Sequence, residues 1–207
     1  MLKNLAEDLA QILAANNIIK VEDCDAYRYG LELAISKIIM YTIIFIIAIL
    51  TKTLLFSSLF AIMYVILRQY TGGYHCKSAE MCIIVSIFIY LLMLLVFLLN
   101  LINIGSLITR MILLSLTFIA PLIIVIFSPV ESSNNPLTKE EKNKYHRNSI
   151  IVAIILLIIS CISLITNTST LFYSSSGSLT ADAVLIILSL RRSKNEKNCY
   201  ESDGGSS

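Results

Sequence analysis

The chain has 207 residues, of which 57% are hydrophobic and only 14% charged, with a formal net charge of +2 and a mean hydropathy of +0.80. This balance is too apolar for a single soluble domain and predicts an all-α, polytopic membrane protein. Five cysteines (Cys24, Cys76, Cys82, Cys161 and Cys199) form an odd set with no framework spacing, so reduced thiols are expected rather than a disulfide scaffold.

The first segment, residues 1–30, carries Glu7, Asp8, Glu22, Asp23 and Asp25 and has no long apolar run, so no cleavable signal peptide is expected. Within it Leu2, Leu5, Ala6, Leu9, Ile12 and Leu13 recur at helical spacing, with Lys3, Asn4, Glu7, Asp8 and Gln11 on the other side. An amphipathic helix on the inner membrane surface fits this pattern, as does a helix packed on cytosolic loops; neither is a span.

Residues 31–190 form the expected single transmembrane domain. Six apolar segments centre near Ile44, Ala61, Leu91, Leu116, Ile155 and Ile186. The second is short, with about fifteen uncharged residues between Lys52 and Arg68, and also admits a tilted pair with the first or a re-entrant hairpin. A polar island, Arg68 to Cys82, follows it. Asn100 to Ser106 reads as a short uncharged hairpin, and the fourth segment ends at Ser128-Pro129. Between Val130 and Asn148 lies the longest strongly polar connection, a turn and then a charged helix start, with Thr138 and Glu141 spaced as a capping box. A Ser/Thr/Asn-rich stretch around Thr166 to Thr170 joins the last two segments. Ser174 to Gly177 is expected to loosen the start of the final helix. From 191 to 207 the polar tail is expected to be disordered, and no internal repeat is visible.

Charge placement sets the expected orientation. With six spans and the N-terminus inside, 14 of the 16 basic residues fall on the cytoplasmic side, leaving only Lys52 and Arg110 outside. This is the positive-inside asymmetry; it puts both termini and the polar island in the cytoplasm of a multi-pass cell-membrane protein. A re-entrant second segment would reverse everything after it, so the charges favour six spans.

His75 and Cys82 are the residue types of a thiol nucleophile and its base: imidazole takes the thiol proton, stabilises the anion and later protonates a leaving amine. On one unbroken helix they would stand about 10 Å apart along the axis, so the chain must turn between them. Gly72-Gly73 supplies the backbone freedom. Ser78 suits an N-cap, which puts Cys82 near the first turn of the third span, where the helix dipole favours thiolate. From spacing alone, two other readings stand. Cys82 is the first small apolar residue of a span and His75 a polar loop residue, or His75, Cys76 and Cys82 begin a zinc site that lacks a fourth ligand.

The whole string resembles the accessory gene regulator B (AgrB) family, membrane cysteine endopeptidases that process the precursor of a cyclic quorum-sensing peptide. The resemblance rests on length, the multi-span layout, the spacing Arg68, Gly73, His75, Cys82, and a basic loop after Ser128-Pro129. It implies Cys82 as nucleophile and His75 as base, with Arg68 and Gly73 as accompanying motif positions. It also implies a short AgrD-like precursor as substrate, a homodimer, and neither cofactor nor metal; no nucleic-acid partner is expected. Cleavage would leave an acyl-enzyme thioester on Cys82, which a precursor cysteine takes over as a thiolactone. Lys139, Lys142, Lys144 and Arg147 resemble the family's basic loop and suit an acidic precursor, although such charges also set topology and bind anionic lipid.

An alternative of another class is a small transporter or export channel for a peptide. Paired intramembrane acids or broken helices in repeated halves would favour it; Asp182 alone stands well inside an apolar segment. A non-catalytic scaffold is a third alternative. Asp182 is read as bonding a Ser or Tyr of a neighbouring span, or as orienting a group near the site. Arg110 is expected to snorkel outward. His146 reads as a solvated loop residue, Glu80 as suited to a helix N-terminus, and Cys76 is not selected by the motif.

Overall fold

The computed structural model describes residues 2–16, 18–72, 79–102, 106–130 and 138–203, with the backbone alone at Ala79, Glu80, Cys82, Ser106, Thr109 and 192–203. The helices are α1 (Leu2–Ala15), α2 (Cys24–Leu50, entered by a 3-10 turn at Val21–Asp23), α3 (Leu54–Thr71), α4 (Ala79–Leu101), α5 (Ser106–Phe127), α6 (Lys139–Ile165) and α7 (Ser169–Asp203). Among the described residues there is no strand, only an isolated bridge between Gly72 and Val130. Among the described residues, six helices are long and apolar enough to cross a membrane: Val21–Leu50, Leu54–Thr71, Ile83–Leu101, Arg110–Phe127, Lys139–Ile165 and Ser169–Arg191. A helix satisfies its own backbone groups, which hydrocarbon demands. The protein is thus an all-α, multi-pass membrane bundle. Its short second segment is one unbroken helix, whose 18 residues cover about 27 Å at helical rise, close to the thickness of the hydrocarbon core.

The chain divides into two compact units, Met1–Lys52 with His75–Leu91, and Thr53–Tyr74 with Leu92–Ser207. In the first, α1 packs along α2. Its apolar side is split: Leu2, Ala6 and Ala10 are buried, while Leu5, Leu9 and Ile12 stay exposed. Helix α2 starts at Cys24 and passes residue 30 without a break.

In the second unit α7 is the central helix, packed by α3, α5 and α6. Every residue from Phe172 to Ala183 is buried. Ser174 to Gly177 therefore does not loosen the helix but lies in its core. The hydroxyls find partners there: Ser175 Oγ donates to the Leu171 carbonyl (2.8 Å), Thr180 Oγ1 to that of Ser176 (2.7 Å) and Ser174 Oγ to that of Phe56 (3.2 Å). Ser176 Oγ meets Ser160 Oγ at 2.7 Å. Small side chains with local acceptors let helices approach closely where lipid offers no hydrophobic drive. The final span accordingly starts earlier than its hydropathy suggests. Beyond Arg191 the backbone helix continues to Asp203 rather than becoming disordered; no Gly or Pro interrupts that stretch.

Helix α6 shows the same logic in its periodicity. Ser149, Ala153, Leu156, Ser160 and Ser163 recur every four and three residues and are buried, while Ile151, Ile154, Ile155, Ile158, Ile162 and Ile165 are exposed. Helix α3 buries Phe56, Phe60, Leu67 and Thr71. Phe56 stacks on Phe97 of α4 at 4.3 Å between ring centroids, and Phe97 meets Tyr173 edge-on at 6.0 Å. Near these rings the half-buried Arg110 lies over Phe172. Its guanidinium carbon lies 5.9 Å from the Phe172 centroid, and its buried Nε has no hydrogen-bond partner among the described residues.

At the other end of this unit α3 stops at Gly72, which adopts φ +75°. A Cβ there would run into the carbonyl of Val130, whose own N–H donates to the Thr71 carbonyl at 2.9 Å. Only glycine combines that dihedral with that approach. Gly72→Ala is therefore expected to cost about 1–3 kcal/mol, seen as a lower melting temperature of the purified protein in detergent.

Candidate functional site

Gly73, His75, Cys76 and Lys77 lie outside the described residues, and Cys82 is present only as backbone, the fourth residue of α4. Both the start of that helix before Ala79 and the relation of Cys82 to His75 lie outside the described residues. What is defined is the frame on the α3 side of the polar island.

Arg68 and Thr71 sit three apart, on one side of the last turn of α3. Both donate to the same oxygen of Asp182 on α7: Arg68 Nη1 at 3.2 Å and Thr71 Oγ1 at 3.1 Å. Asp182 is fully buried and Arg68 part-buried, at 19% side-chain exposure. The second carboxylate oxygen, Oδ2, is buried without a hydrogen-bond partner among the described residues. The acid therefore pairs with an arginine and a threonine, not with the Ser or Tyr expected. This pairing was beyond sequence reasoning because the partners lie 111 and 114 residues apart; the one legible signal was an acid inside an apolar run.

A second set of bonds holds the end of α5. Ser128 Oγ donates to Ser149 Oγ (2.8 Å), which donates to the His146 carbonyl (2.8 Å). His146 Nδ1 lies 2.6 Å from the Ser128 carbonyl; since a carbonyl can only accept, Nδ1 carries the hydrogen. His146 is half-buried in α6 and ties it to the α5 exit, in contrast to the solvated loop residue expected. Through Val130 and Thr71 the same exit is tied to the end of α3.

Helix α6 opens with the expected capping box. Glu141 N–H donates to Thr138 Oγ1 (3.3 Å), and Thr138 N–H donates to Glu141 Oε2 (3.0 Å). Lys139, Lys142, Lys144 and Arg147 are all exposed in its first turns, so the structure gathers the basic residues on one ordered helix start. Tyr70 and Tyr145 approach with ring centroids 6.4 Å apart. His146→Ala, which removes one bond of about 0.5–1.5 kcal/mol, is expected to free the Ser128 turn. Faster hydrogen exchange at the Val130 amide, read by mass spectrometry, is the outcome that checks it.

No curated protein and no solved structure gives a significant match to the chain. A family model described as Accessory gene regulator B matches residues 6–190. That match reaches all six apolar spans and takes in the Arg68–Asp182 pair, the polar island between α3 and α4 and the basic start of α6. With most of its length accounted for in this way, the chain belongs to the AgrB family.

Proposed function

We propose that the protein is a membrane cysteine endopeptidase that cleaves a short AgrD-like precursor in the accessory gene regulator system and cyclises what remains. The observation that carries this reading is the spacing Arg68, Gly73, His75, Cys82 at the junction of α3 and α4 inside a match to the AgrB family. Sequence lends support: Cys82 closes the polar island as the fourth described residue of α4, and a thiol at the start of a helix is biased toward thiolate by the dipole.

The chemistry follows from those two side chains. His75 takes the Cys82 proton; the thiolate attacks the carbonyl carbon of one precursor peptide bond. Collapse of the tetrahedral adduct breaks the C–N bond, and the imidazolium protonates the departing amine of the C-terminal segment. The remainder is held as a thioester on Cys82. A precursor cysteine then gives its proton to His75 and attacks that thioester, so Cys82 leaves as thiolate and the product closes as a thiolactone. One thioester replaces another at little cost in free energy. Exclusion of water from the intermediate decides between ring and hydrolysis.

In this reading the active site and both termini face the cytoplasm, as the basic residues ask. Lys139, Lys142 and Lys144 face an acidic, membrane-lying precursor or anionic lipid headgroups, and the protein works as a homodimer. An export channel finds less support, because the core hydroxyls of α7 are engaged in bonds within the bundle.

Cys82→Ala and His75→Ala are each expected to lower precursor cleavage by at least about a hundredfold, with the protein still present in the membrane fraction. Intact mass analysis of the purified protein mixed with precursor should show a covalent adduct that Cys82→Ser abolishes. Normal processing by Cys82→Ala removes the enzyme assignment.

A further inference from the structure

We propose that Asp182 is a positioning residue of the cleavage reaction, acting through Arg68 and Thr71 to hold the end of α3 from which the His75 segment departs. The inference rests on the reading of His75 and Cys82 as the reacting pair. Three observations carry it.

The first is the position of the acid. Asp182 is 0% exposed inside an apolar bundle, where an acid is costly. Apolar residues of the same volume would hold the helices together as well or better. The cost is also incompletely offset: Arg68 Nη1 and Thr71 Oγ1 converge on Oδ1, while Oδ2 lacks a hydrogen-bond partner among the described residues. Helix packing does not account for such a group.

The second is what the bonds restrain. Two donors three residues apart on α3 ending on one oxygen fix both the rotation and the height of the last helical turn against α7. The Thr71 carbonyl is held in addition by the Val130 N–H at 2.9 Å. Thr71 is thus gripped by its side chain from α7 and by its backbone from the α5 exit.

The third is where the restrained turn leads. Gly72 leaves the helix with φ +75°, and His75 is the third residue after it. Only two residues of chain separate His75 from Gly72, which ties the reach of the base to the clamped helix end. Displacement of a reacting group by about 1 Å can cost on the order of a hundredfold in rate. A carboxylate that never meets the substrate can therefore govern the reaction.

The test uses the purified full-length protein and two readings: cleavage of the precursor per enzyme molecule, and residue-resolved alkylation of Cys82 by iodoacetamide from acid to alkaline pH. Alkylation follows the thiolate fraction, and so reports the imidazole beside the thiol. Asp182→Asn and Thr71→Val are expected to slow cleavage by on the order of 10-fold to 100-fold. Both should shift the Cys82 alkylation curve toward that of His75→Ala. Thr71→Ser, which keeps the hydroxyl, should restore rate and curve. If Asp182→Asn fails to accumulate, Thr71→Val decides, since it keeps the ion pair and the side-chain shape. Wild-type cleavage by Thr71→Val, or slower cleavage with an unchanged alkylation curve, overturns the inference alone. If His75→Ala leaves the wild-type curve unmoved, the dyad reading fails and this inference with it.

Discussion

A carboxylate buried in a membrane bundle needs a partner, because an uncompensated Asp at the centre of a span costs about 2.5–3.5 kcal/mol even on the mildest scale. Asp182 meets that need with Arg68 and Thr71 of α3, and the arrangement of one whole end of the bundle follows. The pair sets how α3 lies on α7. Thr71 then presents its carbonyl to Val130, and the α5 exit before Val130 is held by His146 and Ser149 of α6. Four helices are thereby joined through a short series of polar contacts. The charge-assisted bond to Arg68 is the strongest of them, and together they restrain the end of α3.

The packing elsewhere inverts the pattern of a soluble protein. Lipid is as apolar as leucine, so burial cannot sort apolar residues inward, and helices associate through close contact of small side chains. In α6 the large isoleucines face out while serine and alanine face in. Helix α7 carries the idea furthest. Its serine-rich middle is the most enclosed part of the unit.

Much of the fold was legible because a span is a matter of length and apolarity, which Ile38 to Thr51, Met81 to Leu101 and Asn148 to Ile165 display directly. The short α3 was legible only with help from charge, since Arg68 lies inside its helix and cuts the uncharged run. Ser174 to Gly177 misled because hydropathy ranks a hydroxyl by its exposure to water and not by the carbonyl one turn back that satisfies it. For the site, the capping box of Thr138 and Glu141 was readable because its partners are local. Asp182 with Arg68, and His146 with Ser128, were not, since such contacts join segments far apart in the chain. The signal for His75 and Cys82 lay in a local spacing pattern, and their residue types alone left other readings open.

The locked start of α6 has a consequence for its basic residues. Counted along the helix, Lys142 precedes Ser149, Ala153, Leu156, Ser160 and Ser163 by 7, 11, 14, 18 and 21 residues and so lies on the inward side. Lys144 and Arg147 fall on the isoleucine side by the same count. The cluster is therefore two groups with different neighbours. Lys144 and Arg147 head the column of exposed isoleucines, whereas Lys142 heads the column of buried residues. Neutralising the cluster as a block would merge an effect on the isoleucine side with one on the inward side, and single replacements at 142 and 147 would separate them.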